Sequence, residues 1–348
     1  MSDAPGDRIP VSVLTGFLGS GKTTVLNHLA REGALARTLV LVNEFGEVGL
    51  DHHLLTRIDD DTLVAMDSGC ICCTIRRDLA LTLAQAPGRY ARGGERWFDR
   101  VVIETTGIAD PAPILQTLLS EPSVLTRYRI DRVLTTVDAV NGAGTLSGYE
   151  EARKQVAVAD RIALTKTDLL EGGLPPDLVA ALDAWAPGVP VDRILEGAAE
   201  ADWLFGDAAF SPADRSARLG RWLEDSIATS DAAHDHHHDH DPSRHGRVHA
   251  TSFVFEEPVD PRALEQCLEG LMLLRGADLL RVKGIVNVAG MEQPMVLHGV
   301  QHVFHPPMVL EAWPDEDRRT RIVMITRDLD AALLQACFAR FDMRAEIA

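Results

Sequence analysis

Residues 15–24 read TGFLGSGKTT and directly follow the apolar run VSVL at residues 11–14. The stretch fits the pattern G-x-x-x-x-G-K-[ST], a loop that joins a buried strand to a helix. Glycines let such a loop curl until successive backbone N–H groups point at phosphate oxygens, and the helix that follows adds the positive end of its dipole. A chance glycine-rich turn is the weaker explanation, because the whole pattern lies between a strand and a helix. The stretch therefore predicts a nucleotide-binding loop.

The side chains of this loop are expected to have different tasks. The Lys22 ammonium is expected to reach the β- and γ-phosphates and to act in catalysis, while the Thr23 hydroxyl completes the oxygen shell of a Mg²⁺ ion. The nucleotide-binding residues predicted in this loop are Gly16, Gly19, Ser20, Gly21, Lys22, Thr23 and Thr24.

Length and charge limit the class of protein. The chain has 348 residues, with 52 acidic and 34 basic side chains and a formal net charge of −18, which argues against nucleic acid or an anionic membrane as a partner. The beginning of the chain, MSDAPGDRIP, has neither a basic nor an apolar signal segment, and no apolar run is long enough to span a membrane. We therefore expect a cytoplasmic protein with one large domain and a smaller one.

Strand-like apolar runs alternate with helix-like segments from residue 11 to about residue 195, which is typical of a parallel sheet covered by helices on both faces. The predicted strands are 11–14, 38–43, 63–66, 100–104, 132–137 and 161–165, with a short strand at 189–194. The predicted helices are 23–31, 75–85, 111–119, 150–159 and 176–185. The expected fold is an α/β P-loop domain with a mostly parallel sheet over residues 1–225, then a linker over 226–247 and a smaller α+β domain over 248–348.

A polar loop opens at residues 43–47, which read NEFGE and close the second predicted strand. In a nucleotide switch protein such a loop senses the γ-phosphate, and an ordinary surface connection is the alternative interpretation.

Three of the five cysteines, Cys70, Cys72 and Cys73, lie in a short turn between a predicted strand and a predicted helix. Adjacent cysteines do not readily pair, so the cluster does not indicate a secreted disulfide framework. A helix N-terminus lowers the pKa of nearby thiols, and three closely spaced soft ligands suit Zn²⁺, Co²⁺ or Cu⁺. Glu47 is a candidate fourth ligand. A redox pair of Cys70 with Cys73 and an inert core position are the alternatives.

A second phosphate-side element lies at residues 99–111, which read DRVVIETTGIADP. Its apolar run is expected to deliver Glu104 to the site, where the carboxylate acts on Mg²⁺ through water and takes part in catalysis. Gly107 follows at the spacing of a γ-phosphate-sensing D-x-x-G turn, with Glu in place of Asp, and is predicted to bind the nucleotide. The next position is Ile108, which cannot orient an attacking water, so intrinsic hydrolysis should be slow.

Residues 165–168 read TKTD after another buried strand, a variant of the base-recognition sequence N-K-x-D. The Asp168 carboxylate only accepts hydrogen bonds, so it matches the N1–H and N2–H₂ donors of guanine and favours GTP over ATP. Lys166 is predicted to bind the nucleotide as well. Thr165 replaces the usual Asn and is expected to lose an amide that ties neighbouring loops together. A helix N-cap is the alternative role for Asp168.

Together the segments GFLGSGKTT, NEFGEVG, GCICCT, ETTGIADP and TKTD resemble the CobW-type metallochaperone GTPases, the zinc- and cobalt-transfer branch of the SIMIBI P-loop class. The resemblance covers nearly the whole chain and implies a G domain that binds GTP and Mg²⁺. It also implies a Zn²⁺ or Co²⁺ ion at the C-x-C-C motif and transfer of that metal to a client metalloprotein. A nucleotide-dependent homodimer is a further hypothesis. Some members carry a Glu before NEFG, where Val42 stands here, so an auxiliary metal site with that carboxylate is expected to be absent.

Residues 226–247 contain HDHHHDHD and are predicted to be a flexible linker. Its imidazoles are candidate weak metal ligands, with a solvated spacer as the alternative: His234, His236, His237, His238 and His240.

Beyond the linker, the predicted strands 251–255, 279–288, 295–303 and 321–326 and the predicted helices 261–274 and 331–341 indicate an α+β sandwich. Cys267 and Cys337 lie on apolar helix faces and are expected in the core, and His298, His302 and His305 are not expected to converge.

The favoured hypothesis is a GTP-hydrolysing metallochaperone. A P-loop small-molecule kinase would share the phosphate loop but needs no base-recognition sequence. A nucleotide-independent metal buffer would use only the cysteines and histidines.

Overall fold

The structure, a computed structural model, describes residues 8–44, 63–67, 73–186, 188–205, 248–300, 303–304, 307–310 and 312–347. The chain divides into two compact units, the first with the strands up to residue 193 and the second with the strands from residue 248 onward. No helix in these described ranges is both long and apolar enough to cross a membrane. The predicted linker at 226–247 lies outside them.

A seven-stranded sheet forms the centre of the first unit. Its spatial order is β3-β2-β6-β1-β7-β8-β9, and each of these pairings is parallel. The prediction of a mostly parallel sheet is confirmed, with its short edge strand. The strands of this unit, including a small separate hairpin of β4 and β5, are β1 (Ile9–Gly16), β2 (Thr38–Glu44), β3 (Leu63–Asp67), β4 (Ala91–Arg92), β5 (Glu95–Arg96), β6 (Arg100–Glu104), β7 (Tyr128–Asp138), β8 (Arg161–Thr165) and β9 (Val191–Arg193).

The apolar side chains of the central strands β1 and β6 are almost fully buried, as expected for a parallel sheet covered on both faces. Strand β1 lies between β6 and β7. The strands β2, β3 and β6 are added on one side of β1, and the later strands β7, β8 and β9 on its other side. In α/β proteins, ligands bind outside the carboxyl ends of the strands at such a reversal of strand order. The helices of this unit are α1 (Lys22–Arg31), α2 (Cys73–Arg89), α3 (Ala112–Ser120), α4 (Pro122–Leu125), α5 (Gly142–Gly148), α6 (Glu150–Ala157), α7 (Pro176–Trp185) and α8 (Ala201–Leu204).

Strand β7 begins at Tyr128, and the prediction that it begins at residue 132 was wrong. Tyr128 is 1% exposed, and its hydroxyl donates to the Leu83 carbonyl oxygen at 2.8 Å. A bulge in the pairing with β1, between Val11 and Ser12, accommodates one extra residue of β7. The charged sequence YRIDR therefore forms strand although it contains no apolar run.

As far as its residues are described, the second unit is a seven-stranded antiparallel sheet with two α-helices, so the α+β prediction is confirmed. Its order is β13-β12-β11-β15-β10-β16, with β14 on β12. Phe338 packs edge-on against Phe253 and Phe255, at 5.1 Å between ring centroids in both pairs. The elements are β10 (Val248–Phe255), α9 (Pro261–Arg275), β11 (Leu279–Val286), β12 (Met295–Val300), β13 (Val303–Phe304), β14 (Met308–Val309), β15 (Thr320–Arg327), α10 (Ala331–Ala339) and β16 (Glu346–Ile347).

The predicted single strand at 295–303 was wrong, because β13 pairs antiparallel with the end of β12. Gly299 lies opposite Phe304, and a Cβ at this glycine would lie 2.7 Å from the Phe304 ring. Because Gly299 has no side chain, the Phe304 ring can lie over β12. The chain can therefore reverse direction here, although the apolar pattern of the sequence continues.

Cys267 is 1% exposed in the core of the second unit, and Cys337 packs against the same core, as predicted. Burial, and then the neighbouring Cys337, raise the pKa of the Cys267 thiol to about 12. Of the three histidines considered for this unit, His302 and His305 lie outside the described residues, as does the side chain of His298.

Candidate nucleotide site

The loop after β1 has the backbone conformation of a phosphate-binding loop. Gly16 has a φ of +144°, and a Cβ there would lie 2.3 Å from the Thr136 hydroxyl oxygen. Only glycine fits both the conformation and the space. Gly21 is the N-cap of α1, which begins at Lys22, so the loop passes directly into the helix. Gly19 and Ser20 lie within the loop, and Thr24 is exposed in the first turn of α1.

Three buried hydroxyl contacts tie this loop to neighbouring strands. Ser20 Oγ lies 2.6 Å from Thr136 Oγ1 at the end of β7. Thr165 Oγ1, at the end of β8, donates to the Ser20 carbonyl oxygen at 2.8 Å. Thr105, which follows β6, donates its hydroxyl to Thr15 Oγ1 at 2.7 Å. These contacts help to hold the loop in shape, which lowers the ordering cost of binding a ligand.

Lys22 places a positive charge inside the loop. Its side chain is 8% exposed, and Nζ donates to the carbonyl oxygens of Gly16 at 2.7 Å and Phe17 at 3.2 Å. An ammonium held at this position needs little reorganisation to meet a phosphate oxygen.

The structure brings Thr23 and Glu104 together from distant parts of the sequence. Thr23 Oγ1, in the first turn of α1, donates to Glu104 Oε1, at the end of β6, at 3.2 Å. Glu104 is only 5% exposed. A hydroxyl and a carboxylate side by side are oxygen ligands of the kind that Mg²⁺ prefers, so the two residues fit this ion.

The turn that contains Gly107 packs directly on the phosphate loop. A Cβ at Gly107 would lie 2.6 Å from the Leu18 backbone nitrogen. Gln155, a buried residue of α6, donates Nε2 to the carbonyl oxygens of Gly107 at 3.2 Å and Ala109 at 3.0 Å. Gln155 therefore positions this turn, and the sequence reasoning missed it. The available signal was a single amide on the apolar face of a predicted helix.

The TKTD segment adjoins the same loop. Lys166 has a φ of +57°, and its Nζ lies 2.7 Å from Asp138 Oδ2. Asp168 is exposed in a 3-10 turn at residues 167–169. Thr165 lacks the amide of the usual Asn, but its hydroxyl still ties β8 to the phosphate loop through the Ser20 carbonyl oxygen.

Asp138 was also missed by sequence reasoning. It ends β7, and besides Lys166 it accepts the backbone N–H groups of Val140 at 2.8 Å and Asn141 at 3.0 Å. Partial burial raises the pKa of Asp138, but the hydrogen bonds from Lys166 and Asn141 outweigh burial, so the pKa lies below its ordinary value.

The predicted transition-metal ligands cannot be placed in the same way. Cys70, Cys72 and Glu47 lie outside the described residues, as do His234, His236, His237, His238 and His240. Cys73 is the first residue of α2, but its side chain also lies outside what the structure describes. Within the described ranges, no group of three or more His, Cys, Asp or Glu side chains could hold a metal ion. The metal site at the cysteine motif therefore stays a prediction.

The parallel sheet and its loop define a P-loop nucleotide-binding fold. The profile of the CobW/HypB/UreG nucleotide-binding domain matches residues 10–183, and that of the cobalamin synthesis protein cobW C-terminal domain matches residues 248–341. The chain belongs to the CobW/HypB/UreG family, and the resemblance seen in its motifs is confirmed.

Relatives resemble the chain along nearly its whole length. The zinc chaperone YjiA of Escherichia coli (strain K12) is 32% identical over 333 residues, which are 95% of this chain and 98% of that protein. The zinc chaperone CobW of a Sinorhizobium species is 30% identical over 363 residues, which are 94% and 96% of the two chains. A crystal structure of Zn(II)-bound YjiA GTPase from E. coli has a TM-score of 0.63 at 27% identity and covers 96% of this chain and 99% of that one.

Proposed function

We propose that this protein is a GTP-hydrolysing metallochaperone that binds Zn²⁺, or Co²⁺, at its C-x-C-C motif and transfers the ion to a client metalloprotein. The observation that carries the proposal is the meeting of Lys22, Thr23 and Glu104 at the phosphate loop of a chain that belongs to this family. Relatives named zinc chaperones, which the chain matches nearly end to end, support the metal part.

At the phosphate loop, the Lys22 ammonium offsets the charge of the β- and γ-phosphates, and the Thr23 hydroxyl with Glu104 holds Mg²⁺. Bound Mg²⁺ neutralises charge that develops on the phosphate oxygens. Gly107, fixed by Gln155, offers its backbone N–H to the γ-phosphate. The following residue, Ile108, has no group that orients water, which predicts slow intrinsic turnover.

Guanine recognition is assigned to Asp168, with Lys166 beside it. The carboxylate is exposed and accepts both guanine donors, whereas the N1 acceptor of adenine would face an oxygen. GTP should therefore bind at least about tenfold more tightly than ATP, which is about 1.4 kcal/mol. Asp168→Ala should remove most of this preference in a competition assay. Equal affinities for GTP and ATP in the unaltered protein would rule out the assignment.

The transition metal is assigned to Cys70, Cys72 and Cys73, with Glu47 as a candidate fourth ligand. In sequence, Cys70 and Cys72 lie between β3 and α2, and Cys73 begins α2. In the sheet β3 pairs with β2, whose end opens the NEFGE loop. If GTP and Mg²⁺ order these segments, metal affinity rises in the GTP state, and linkage requires metal to favour GTP over GDP by the same free energy. A nucleotide-dependent homodimer and weak metal binding by the linker histidines belong to the same proposal.

A competition titration with a chromogenic chelator tests the coupling. Zn²⁺ affinity is measured with a non-hydrolysable GTP analogue and with GDP, and typical couplings predict a difference of about 5- to 150-fold. The difference should disappear in Cys72→Ser and Cys73→Ser and persist in Cys337→Ser, a thiol of the second unit. Equal Zn²⁺ affinity in both nucleotide states would leave a metal buffer and remove the switch.

A further inference from the structure

A cavity lies at the end of the sheet that is opposite to the phosphate loop. It has a volume of about 590 Å³ and is lined by the first residues of β1 and β6 and by the segment before β2. The strands are parallel, and the phosphate loop follows the carboxyl end of β1. With eight residues in β1, a spacing of about 3.3 Å per residue separates the two ends by roughly 25 Å.

Arginines mark the amino ends of four adjacent strands around this cavity. Arg37 directly precedes β2, Arg100 begins β6, Arg8 directly precedes β1, and Arg129 is the second residue of β7. Arg96, from the small hairpin, also lines it. Among the described lining residues, one side chain is acidic, in a chain whose net charge is −18. The cavity is therefore positively charged in a protein whose net charge is negative.

Three of these arginines lie close to a carboxylate. Asp99, the acidic lining residue, receives two hydrogen bonds from Arg37, the longer at 2.8 Å, and lies 3.8 Å from Arg96. Arg129 lies 3.2 Å from Asp131. The hydrogen bond from Arg37, opposed by partial burial and assisted by the nearby arginine charges, holds the pKa of Asp99 below its ordinary value.

The other two arginines, Arg8 and Arg100, have no carboxylate within 4.0 Å among the described residues. Neither is held in an ion pair there, and the charge of Arg100 acts on Asp99 only at longer range. The Arg100 guanidinium lies 4.7 Å from the centroid of the Phe205 ring, which orients it without neutralising it. Arg8 donates Nη1 to the Leu125 carbonyl oxygen at 3.3 Å, and its Nε is buried without a hydrogen-bond partner in the described part of the chain. A buried donor of this kind is costly unless a ligand or water meets it.

We propose that this cavity binds a small polyanion, a ligand with at least two phosphate or carboxylate groups, at a site separate from the nucleotide site. Guanidinium forks hold both kinds of group in bidentate pairs, and arginine keeps its charge at any physiological pH. The volume lies within the range of about 300 to 1,000 Å³ that is usual for small-ligand sites. Arg8 and Arg100 supply the uncompensated charge, and Asp99 competes with the ligand for Arg37.

Calorimetric titration of the full chain in metal-free buffer, with inorganic pyrophosphate and with citrate as probes, tests this site. The Lys22→Ala substitution removes most phosphate binding at the nucleotide loop. Probe binding that persists in this variant therefore belongs to the cavity. Pyrophosphate binding alone indicates a phosphorylated ligand, and citrate binding alone indicates a carboxylate ligand. If neither probe binds saturably with a Kd below about 10 mM, the proposal is overturned. A Kd of that size corresponds to a binding free energy of about −3 kcal/mol.

Two sets of variants assign the binding to these residues. Arg8→Gln with Arg100→Gln should weaken it at least about tenfold, since hydrogen bonds to charged groups are among the stronger ones. The control is the double variant Arg193→Gln with Arg262→Gln, which removes the same amount of charge at two exposed positions outside the cavity. Probe binding should be unchanged in this control.

Asp99→Asn is a gain-of-binding test that does not depend on how the double variant folds. Removing the competing carboxylate should tighten probe binding several-fold, a result that a purely structural role of the arginines does not produce. Unchanged or weaker binding in Asp99→Asn overturns the proposal. GTP turnover should stay the same in all cavity variants, so this inference and the proposed GTPase function are tested separately.

Discussion

Replacing Gln155 by methionine tests whether the turn at residues 107–109 must be held in place for GTP hydrolysis. Gln155 is 1% exposed, and its Nε2 is the donor to the carbonyl oxygens of Gly107 and Ala109. Methionine has a similar length and flexibility but no N–H group. The substitution therefore removes two hydrogen bonds from the turn and leaves the backbone of α6 intact.

The expected cost follows from these contacts. The Gly107 bond is fully buried, so its loss leaves an unsatisfied acceptor at about 1–3 kcal/mol, whereas the Ala109 bond is partly exposed and water can replace it. Gln155 Oε1 is itself buried without a partner among the described residues, and removing it offsets part of the loss. The net destabilisation is therefore expected in the lower part of this range, at about 1–2 kcal/mol.

Turnover should fall more than nucleotide binding. If the turn carries the Gly107 N–H to the γ-phosphate, a displacement of about 1 Å lowers kcat by about tenfold to a hundredfold, while KM changes little. Steady-state GTP hydrolysis and urea unfolding of the same protein measure both effects. Gln335→Met is the matched control, because Gln335 Nε2 also donates to a backbone carbonyl, that of Ala345, but in the second unit. Unaltered kcat in a measurably destabilised Gln155→Met protein would refute the positioning role.

Three further outcomes follow from the same site. Lys22→Ala should abolish turnover, because the γ-phosphate charge then lacks its partner; residual turnover at the unaltered rate would place the active site elsewhere. Because the pKa of Asp138 is lower in the folded state, its ion pair stabilises the fold above the unfolded pKa of about 3.9 and is lost as pH falls through the folded value. The stability gap between the unaltered protein and Asp138→Asn, measured by urea unfolding, should thus be largest at neutral pH and close below pH 4. Deleting residues 226–247 should leave GTP turnover intact and lower the number of weakly bound metal ions; loss of turnover would show that the linker boundary is misplaced.

The sheet and the phosphate loop were predictable because each rests on a local pattern. Apolar runs mark strands that are buried on both faces, and the loop motif marks the carboxyl end of the first of them. Because β1 and β6 are parallel neighbours, their carboxyl ends lie side by side. This places Thr23, which follows β1, in contact with Glu104 at the end of β6. The TKTD segment, for which base recognition is proposed, follows β8 at the same edge for the same reason.

Other features depended on contacts that no local pattern reveals. The charged start of β7 is held by the burial of Tyr128 and by a bulge against β1, and neither is visible in the sequence YRIDR. In the second unit, the reversal before β13 depends on the fit of the Phe304 ring over Gly299. Lys166 and Asp138 form an ion pair only because β7 and β8 are neighbours in a particular register.

The arginine cavity shows that a correct topology contains more information than the motifs that suggested it. A parallel sheet brings the amino ends of its strands together in the same way as their carboxyl ends, so residues at strand starts form a surface of their own. Arg37 and Arg100 stand at the starts of two predicted strands, and a prediction of a basic edge was available from them. Arg129 became part of that edge only with the observed start of β7, since a strand beginning at residue 132 leaves it in a loop. The observed start of β7 therefore adds a fourth strand to the basic edge, while the proposed binding depends on Arg8 and Arg100.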